Sequence, residues 1–164
     1  MALTFDNPNE QNRWFAVDDG VMGGISQSTF SVADGEGRFH GEVSMENGGG
    51  FASVRRESDG FETTLADARG IALTVRGDGR TYQLRLKSTS LNDASAYRVK
   101  FTPSQDNWET LHFPWHVFEA VRRGTLLSDA PAIVPSDIHQ IGFLIADRTA
   151  GPFCLQVSKV EVLF

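Results

Sequence analysis

Four histidines, one cysteine and a pair of adjacent aspartates are the side chains from which chemistry would first be built. His40, His112, His116 and His139 are scattered, and only His112 and His116 are close in the chain. Pro114 lies between them, so they do not share a helical turn, and a tetrahedral zinc site would need further donors. They read as surface or hydrogen-bonded histidines. Asp18 and Asp19 could offer oxygens to Ca²⁺, yet no dense run of alternating carboxylates accompanies them, and capping of a turn accounts for both. No metal or other cofactor is expected. Cys154 as a nucleophile would need a base and an electropositive setting; its neighbours Phe153 and Leu155 favour a structural thiol. There is no Gly-x-Ser-x-Gly elbow, Walker loop or dinucleotide fingerprint, and the glycines at 20–24 precede no long helix whose N-terminus would take a phosphate. The expected chemistry is binding, and the chain is not expected to be an enzyme.

One constellation stands out for binding. Ile71, Leu73 and Val75 alternate with Ala72, Thr74 and Arg76. After Gly77-Asp78-Gly79, Tyr82, Leu84 and Leu86 alternate with Gln83, Arg85 and Lys87, the pattern of a β-hairpin. Arg76-Gly77-Asp78 also spells an integrin-binding tripeptide, but a tight turn between two alternating runs explains it without a partner. Beyond a polar loop at Asn92 and Asp93, Tyr97, Val99 and Phe101 alternate with Arg98 and Lys100. If the apolar set points to a core, period-two geometry sends Thr74, Arg76, Gln83, Arg85, Lys87, Arg98 and Lys100 to the outside. Such a basic face suits an acidic peptide, a sugar acid or a phosphate; the competing reading is a solvated sheet face. With Arg55 and Trp108 added, the candidate ligand or partner residues are Arg55, Arg76, Gln83, Arg85, Lys87, Arg98, Lys100 and Trp108.

The elements that would position these residues are short strands. Residues 28–33 and 38–45 make a hairpin around Asp34-Gly35-Glu36-Gly37, and 51–57 and 108–113 read as further strands, the latter closed by Pro114. Trp115, Phe118 and Val121 fall at i, i+3 and i+6, which predicts a short helical or irregular crossover ending at Gly124. A loop runs past Pro131 and Pro135. Ile141, Phe143 and Ile145, then Phe153, Leu155 and Val157, resume strand spacing, and a parity shift at Ser158-Lys159 to Val160, Val162 and Phe164 predicts a β-bulge. Nine or so strands, no long helix and no repeat predict an all-β sandwich or barrel, one domain over 1–164. Residues 14–28 fit no regular element. Their glycines 20, 23 and 24 surround Val21 and Met22, which predicts a loop folded back over the end of the core with Asp18 and Asp19 bonding turn amides; the alternative is a partner contact.

Composition narrows the partner. With 15 Lys and Arg against 21 Asp and Glu, the net charge of −6 argues against general nucleic-acid binding, which depends on neutralising phosphates. A lone cysteine forms no internal disulfide and favours a reducing compartment. The opening residues lack a basic n-region and an apolar h-region, and no apolar run approaches the ~20 residues that span a bilayer. A soluble, cytoplasmic protein with no membrane span is expected.

Trp14 followed by Asp18-Asp19-Gly20-Val21-Met22-Gly23-Gly24-Ile25-Ser26 resembles the signature of the complex I intermediate-associated protein family, the thirty-kilodalton group of respiratory assembly factors. The motif loop is thus Trp14, Asp18, Asp19, Gly20, Val21, Met22, Gly23, Gly24 and Ser26. Later segments resemble the family in the same order: Gly48-Gly49-Gly50-Phe51-Ala52-Ser53-Val54-Arg55, Val75-Arg76-Gly77-Asp78-Gly79-Arg80-Thr81-Tyr82, Trp108 with Phe113-Pro114 and Phe118, Arg123-Gly124, Ile141-Gly142-Phe143-Leu144-Ile145 and Gly151-Pro152-Phe153. The resemblance implies a galactose-binding-like jelly-roll β-sandwich, similar to some carbohydrate-binding modules, and a non-catalytic chaperone role with a protein partner, such as a respiratory-complex subunit. A second class on the same fold is a carbohydrate- or small-ligand-binding module, with Trp108 or Trp115 stacking on a glycan.

Overall fold

The structure, a computed structural model, describes residues 2–58, 65–92 and 94–164, with the side chains of Ala2, Val21 and Met22 outside that description. Among the described residues there are thirteen strands: β1 (Ala2–Thr4), β2 (Trp14–Ala16), β3 (Gln27–Ala33), β4 (Glu36–Val43), β5 (Ala52–Arg56), β6 (Gly70–Arg76), β7 (Tyr82–Ser88), β8 (Ser95–Phe101), β9 (Glu109–Pro114), β10 (Glu119–Arg122), β11 (Thr125–Leu126), β12 (Ile138–Ile145) and β13 (Gly151–Leu163). They form two antiparallel sheets. The six-stranded sheet runs β3-β4-β13-β6-β9 with β1 also paired to β13, and the seven-stranded sheet runs β11-β10-β8-β7-β12-β5-β2. The expected jelly-roll sandwich is what the chain adopts.

The core lies between the sheets because alternate residues of each strand share a side. Phe39, Val75, Leu155 and Val157 meet Tyr82, Leu84, Leu86 and Phe143, all buried. Trp14 stacks on Phe30 at 4.0 Å and on Phe143 at 5.8 Å between ring centroids. Its indole N–H donates to Glu10, which also takes two bonds from Arg56, so the buried ring leaves no polar atom unpaired.

Three sequence expectations change. The 70–76 and 82–88 runs are not a hairpin: β6 pairs with β13 and β9, whereas β7 pairs with β8 and β12 in the other sheet. Residues 77–81 arch between the layers. Asp78 organises this arch by accepting from the amides of Arg80 and Cys154 and from the Tyr82 hydroxyl. Arg80 holds Asp147 through two bonds and also donates to carbonyls of the 149–152 turn. Next, the 115–124 crossover contains only the 3-10 turn Trp115–Val117; the chain then enters β10, and Arg123 and Gly124, both at positive φ, turn it into β11. Finally, residues 14–28 include β2 and a 3-10 turn over Asp19–Met22 rather than loop alone. The bulge expected near 158 is present, as the β13–β6 register shifts between Val157 and Lys159. The expected packing of Val21 and Met22 side chains, and Asp93 of the polar loop, lie outside the described residues.

Candidate functional site

The glycine-rich motif is a clasp built on two carboxylates. Asp19 is 0% exposed. Its Oδ1 accepts from the Ser26 amide at 2.9 Å, and its Oδ2 accepts from the Ser26 hydroxyl at 2.6 Å, the Gly50 amide at 2.7 Å and the Phe51 amide at 3.2 Å. Asp18 repeats the pattern one step along, accepting from the Ser28 amide and hydroxyl and from the Ser53 amide. Burial pushes the Asp19 carboxyl up, but the donors from Ser26, Gly50 and Phe51 outweigh it and hold the group below the usual carboxylate range. Gly24 and Gly49 make room: a Cβ on Gly24 would overlap Asp19 Cγ, and one on Gly49 would sit 2.5 Å from Oδ2. Both aspartates are ringed by N–H and O–H donors, which fill the lone pairs that a Ca²⁺ ion would need. Asp18 and Asp19 do bond amides, as expected, but those amides belong to the 26–28 and 50–53 segments and not to their own turn. The clasp joins β3 of one sheet to β5 of the other, since the Ser28 hydroxyl also reaches the Ser53 carbonyl at 3.1 Å.

The candidate binding residues divide between the sheets. Arg76 stands on β6 in the six-stranded sheet and donates to the Gln105 carbonyl, and Thr74 is on that sheet too. Trp108, exposed, precedes the edge strand β9 of that same sheet. Trp115 is half-buried against Phe118 and donates its indole N–H to Ala68. The single basic face inferred from alternation is therefore two faces, because period two fixes the side of a strand but not the sheet it joins. Arg55, Gln83, Arg85, Lys87, Arg98 and Lys100 do gather on the outer face of the seven-stranded sheet.

There the register sets out one row across six strands. Phe15 on β2 faces Arg55 on β5, Arg55 faces Gly142 on β12, Gly142 faces Arg85 on β7, Arg85 faces Arg98 on β8, and Arg98 faces Glu119 on β10. Gly142 is not among the residues that alternation singles out, and it matters here. A Cβ at that position would lie 2.6 Å from the Val54 carbonyl and 3.4 Å from Arg55 Cγ, so the glycine lets β5 close on β12 and leaves a hollow between two arginines. The hollow is a groove of about 110 Å³ lined by Arg55, Arg85, Lys87 and Gln140 among others.

Among the described residues, the arginines Arg55 and Arg85 of this groove meet no carboxylate. Arg85 donates to Gln83 at 3.0 Å, a neutral partner. Burial, then the proximity of Arg98 and Arg55, pushes the Arg85 guanidinium down to about 10, still charged at neutral pH. Burial also lowers Arg55, which has no hydrogen bond or ion pair among the described residues. Arg98 is 9% exposed; its Nε is ion-paired with Glu119 at 3.6 Å, too long for a hydrogen bond, and that buried N–H has no hydrogen-bond acceptor among the described residues. Lys87 donates to the Ser95 carbonyl. The hydroxyl of Ser53, which lines the groove, is donated to the Val17 carbonyl, so this serine is not set up as an activated nucleophile. Elsewhere, burial and Asp78 push the Cys154 thiol up, away from thiolate character. Among the described residues no three His, Cys, Asp or Glu side chains gather as a metal-ligand set, and no helix is long and apolar enough to cross a membrane.

Comparison with known proteins places this geometry in a family. Over 182 aligned residues the chain is 28% identical to "Complex I intermediate-associated protein 30, mitochondrial" of Drosophila melanogaster, covering 98% of this chain and 61% of that protein. It is 25% identical over 138 residues to the protein of the same name in Neurospora crassa, covering 75% of this chain and 50% of the relative. The chain thus spans between half and about three fifths of these relatives. Their names are mitochondrial, which overturns the expectation of a cytoplasmic protein. In fold, it resembles the family 11 carbohydrate-binding module from Clostridium thermocellum, solved with a β-1,3-1,4-mixed-linked tetrasaccharide, at a TM-score of 0.68 and 12% identity over 99% of this chain and 95% of the module. The family model for Complex I intermediate-associated protein 30 matches residues 3–157, nearly the whole clasp-and-sandwich framework, and the chain belongs to that family.

Proposed function

We propose that this chain is a non-catalytic binding module that holds a protein partner during assembly of respiratory complex I. The observation that carries the reading is the gathering of Arg55, Arg85 and Arg98 on one face, where positive charge is held ready. Folding alone gives no reason to bring like charges together in a hollow; a negatively charged partner does. The family adds the class of partner, since the relatives are named for association with a complex I intermediate. The test is affinity capture with the full chain from respiratory membranes of its own source, scored for complex I subunits against an unrelated bait. Enrichment of those subunits, and their accumulation as sub-complexes when the gene is deleted, is the expected result. Capture of none, with assembly intact in the deletion, overturns the reading.

A carbohydrate-binding module is the second reading, favoured by the fold likeness to a module solved with a tetrasaccharide. It would use aromatic platforms, yet Trp108 and Trp115 lie outside the arginine groove. Saturable binding on a glycan array, lost in Trp108→Ala, would replace the assembly reading with this one.

A further inference from the structure

The partner's chemistry can be read from the row on the seven-stranded sheet, and the inference rests on the assembly-factor reading above. We propose that the groove takes an extended acidic segment of a partner protein that crosses the strands, with an apolar residue at one end and carboxylates at alternate positions after it. Two observations beyond the cluster of cations point to a ligand. The Nε of Arg98, a residue only 9% exposed, has no hydrogen-bond acceptor among the described residues, Glu119 standing off at 3.6 Å, and such a buried donor is costly unless something supplies one. The row also ends in an apolar anchor: Phe15 is 45% exposed beside Arg55.

The spacing favours a peptide over a small anion. Neighbouring strands are ~4.8 Å apart, so Phe15, Arg55, Arg85 and Arg98 stand at about 0, 5, 14 and 19 Å along the row. In an extended chain, side chains on one side repeat every ~6.8 Å, reaching about 0, 7, 14 and 20 Å. One apolar residue and three acidic ones at alternate positions therefore meet Phe15, Arg55, Arg85 and Arg98 in turn. A lone phosphate would occupy the hollow over Gly142 and leave Phe15 and Arg98 unused. Guanidinium forks pair with carboxylates through two parallel bonds, and the half-buried setting strengthens each pair.

The probe is the peptide Leu-Ser-Glu-Ser-Glu-Ser-Glu, titrated calorimetrically into the full chain, with a control in which the glutamates are glutamine. Saturable binding that weakens at least ~10-fold for the glutamine peptide, ~10-fold in Arg85→Gln and Arg98→Gln and about 3-fold in Phe15→Ser is expected, with affinity falling as salt rises. Lys159→Gln, on the other sheet beside Glu161, leaves it unchanged. Arg55 has no hydrogen-bond or ion-pair partner among the described residues, so Arg55→Gln keeps the fold and reads the site even if Arg85→Gln does not fold. Equal binding of the glutamine peptide, indifference to the arginines, or no binding overturns the proposal. So does inorganic phosphate, or a phosphatidylglycerol vesicle, binding more tightly than the peptide with the same arginine dependence. Capture of complex I subunits by both the wild type and Arg55→Gln/Arg98→Gln would defeat this inference and leave the assembly reading standing; capture by neither would defeat that reading, whatever the peptide does.

Discussion

Asp19 shows how one side chain can hold a family motif together. Its carboxylate accepts four hydrogen bonds from three residues, two of them about thirty positions away. Asp19→Asn turns one oxygen into a donor facing donors, and we expect a loss of about 3 kcal/mol in urea unfolding. Because its folded pKa is depressed, Asp19 contributes stability that is fully present above the unfolded carboxylate value of ~3.9 and is lost as pH falls through the folded value. The wild type should therefore lose thermal stability more steeply than Asp19→Asn as pH is lowered from about 5 to about 2, and parallel curves would refute the assignment. Asp147, held low by hydrogen bonds from Arg80, contributes in the same direction to both proteins. The glycines offer an independent check. Gly24→Ala forces the locked carboxylate to move and should cost about 2 kcal/mol alone but well under half of that in an Asp19→Ala background. The sequence shows that these aspartates cap something. It does not show what, since Gly50, Phe51 and Ser53 are remote; the run Gly48-Gly49-Gly50, conformationally costly unless something approaches it closely, is the available signal.

At the scale of elements, the arch between β6 and β7 is the instructive case. Both runs alternate so cleanly that a hairpin is the natural expectation, and the residues it turns inward are indeed buried. Alternation reports which side faces the core; it is silent on which neighbours a strand chooses. The arch depends on Asp78, which meets the hydroxyl of the fully buried Tyr82. Asp78→Ala strands that hydroxyl together with two amides and should cost about 3 kcal/mol; adding Tyr82→Phe should recover roughly 1 kcal/mol of it in the same urea titration. Further loss in the double variant would show that the hydroxyl has another partner. β10 escapes the sequence pattern for a related reason. Trp115 and Phe118 pack inward through one turn and its exit, so their three-residue spacing imitates a helix that is never formed. The bulge in β13 is legible because a parity shift inside one strand has a single common cause, an extra residue in the ladder.

Across the whole molecule, the two sheets share one interior, with Phe39, Tyr82 and Phe153 in mutual ring contact across it. We expect residues 1–164 to unfold as one cooperative unit: near- and far-ultraviolet circular dichroism should report the same urea midpoint, and separated transitions would contradict that. The acidic total of −6 coexists with the basic row on one sheet, a distribution that net charge conceals and strand parity half reveals. β4 and β6 do not pair with each other in their sheet; they flank β13, the last strand in chain order, which pairs with both. On a translating ribosome, that sheet has no middle until the 151–163 segment emerges from the exit tunnel. Until then the nascent chain carries two unjoined half-sheets, a window in which edge pairing with other chains competes with closure.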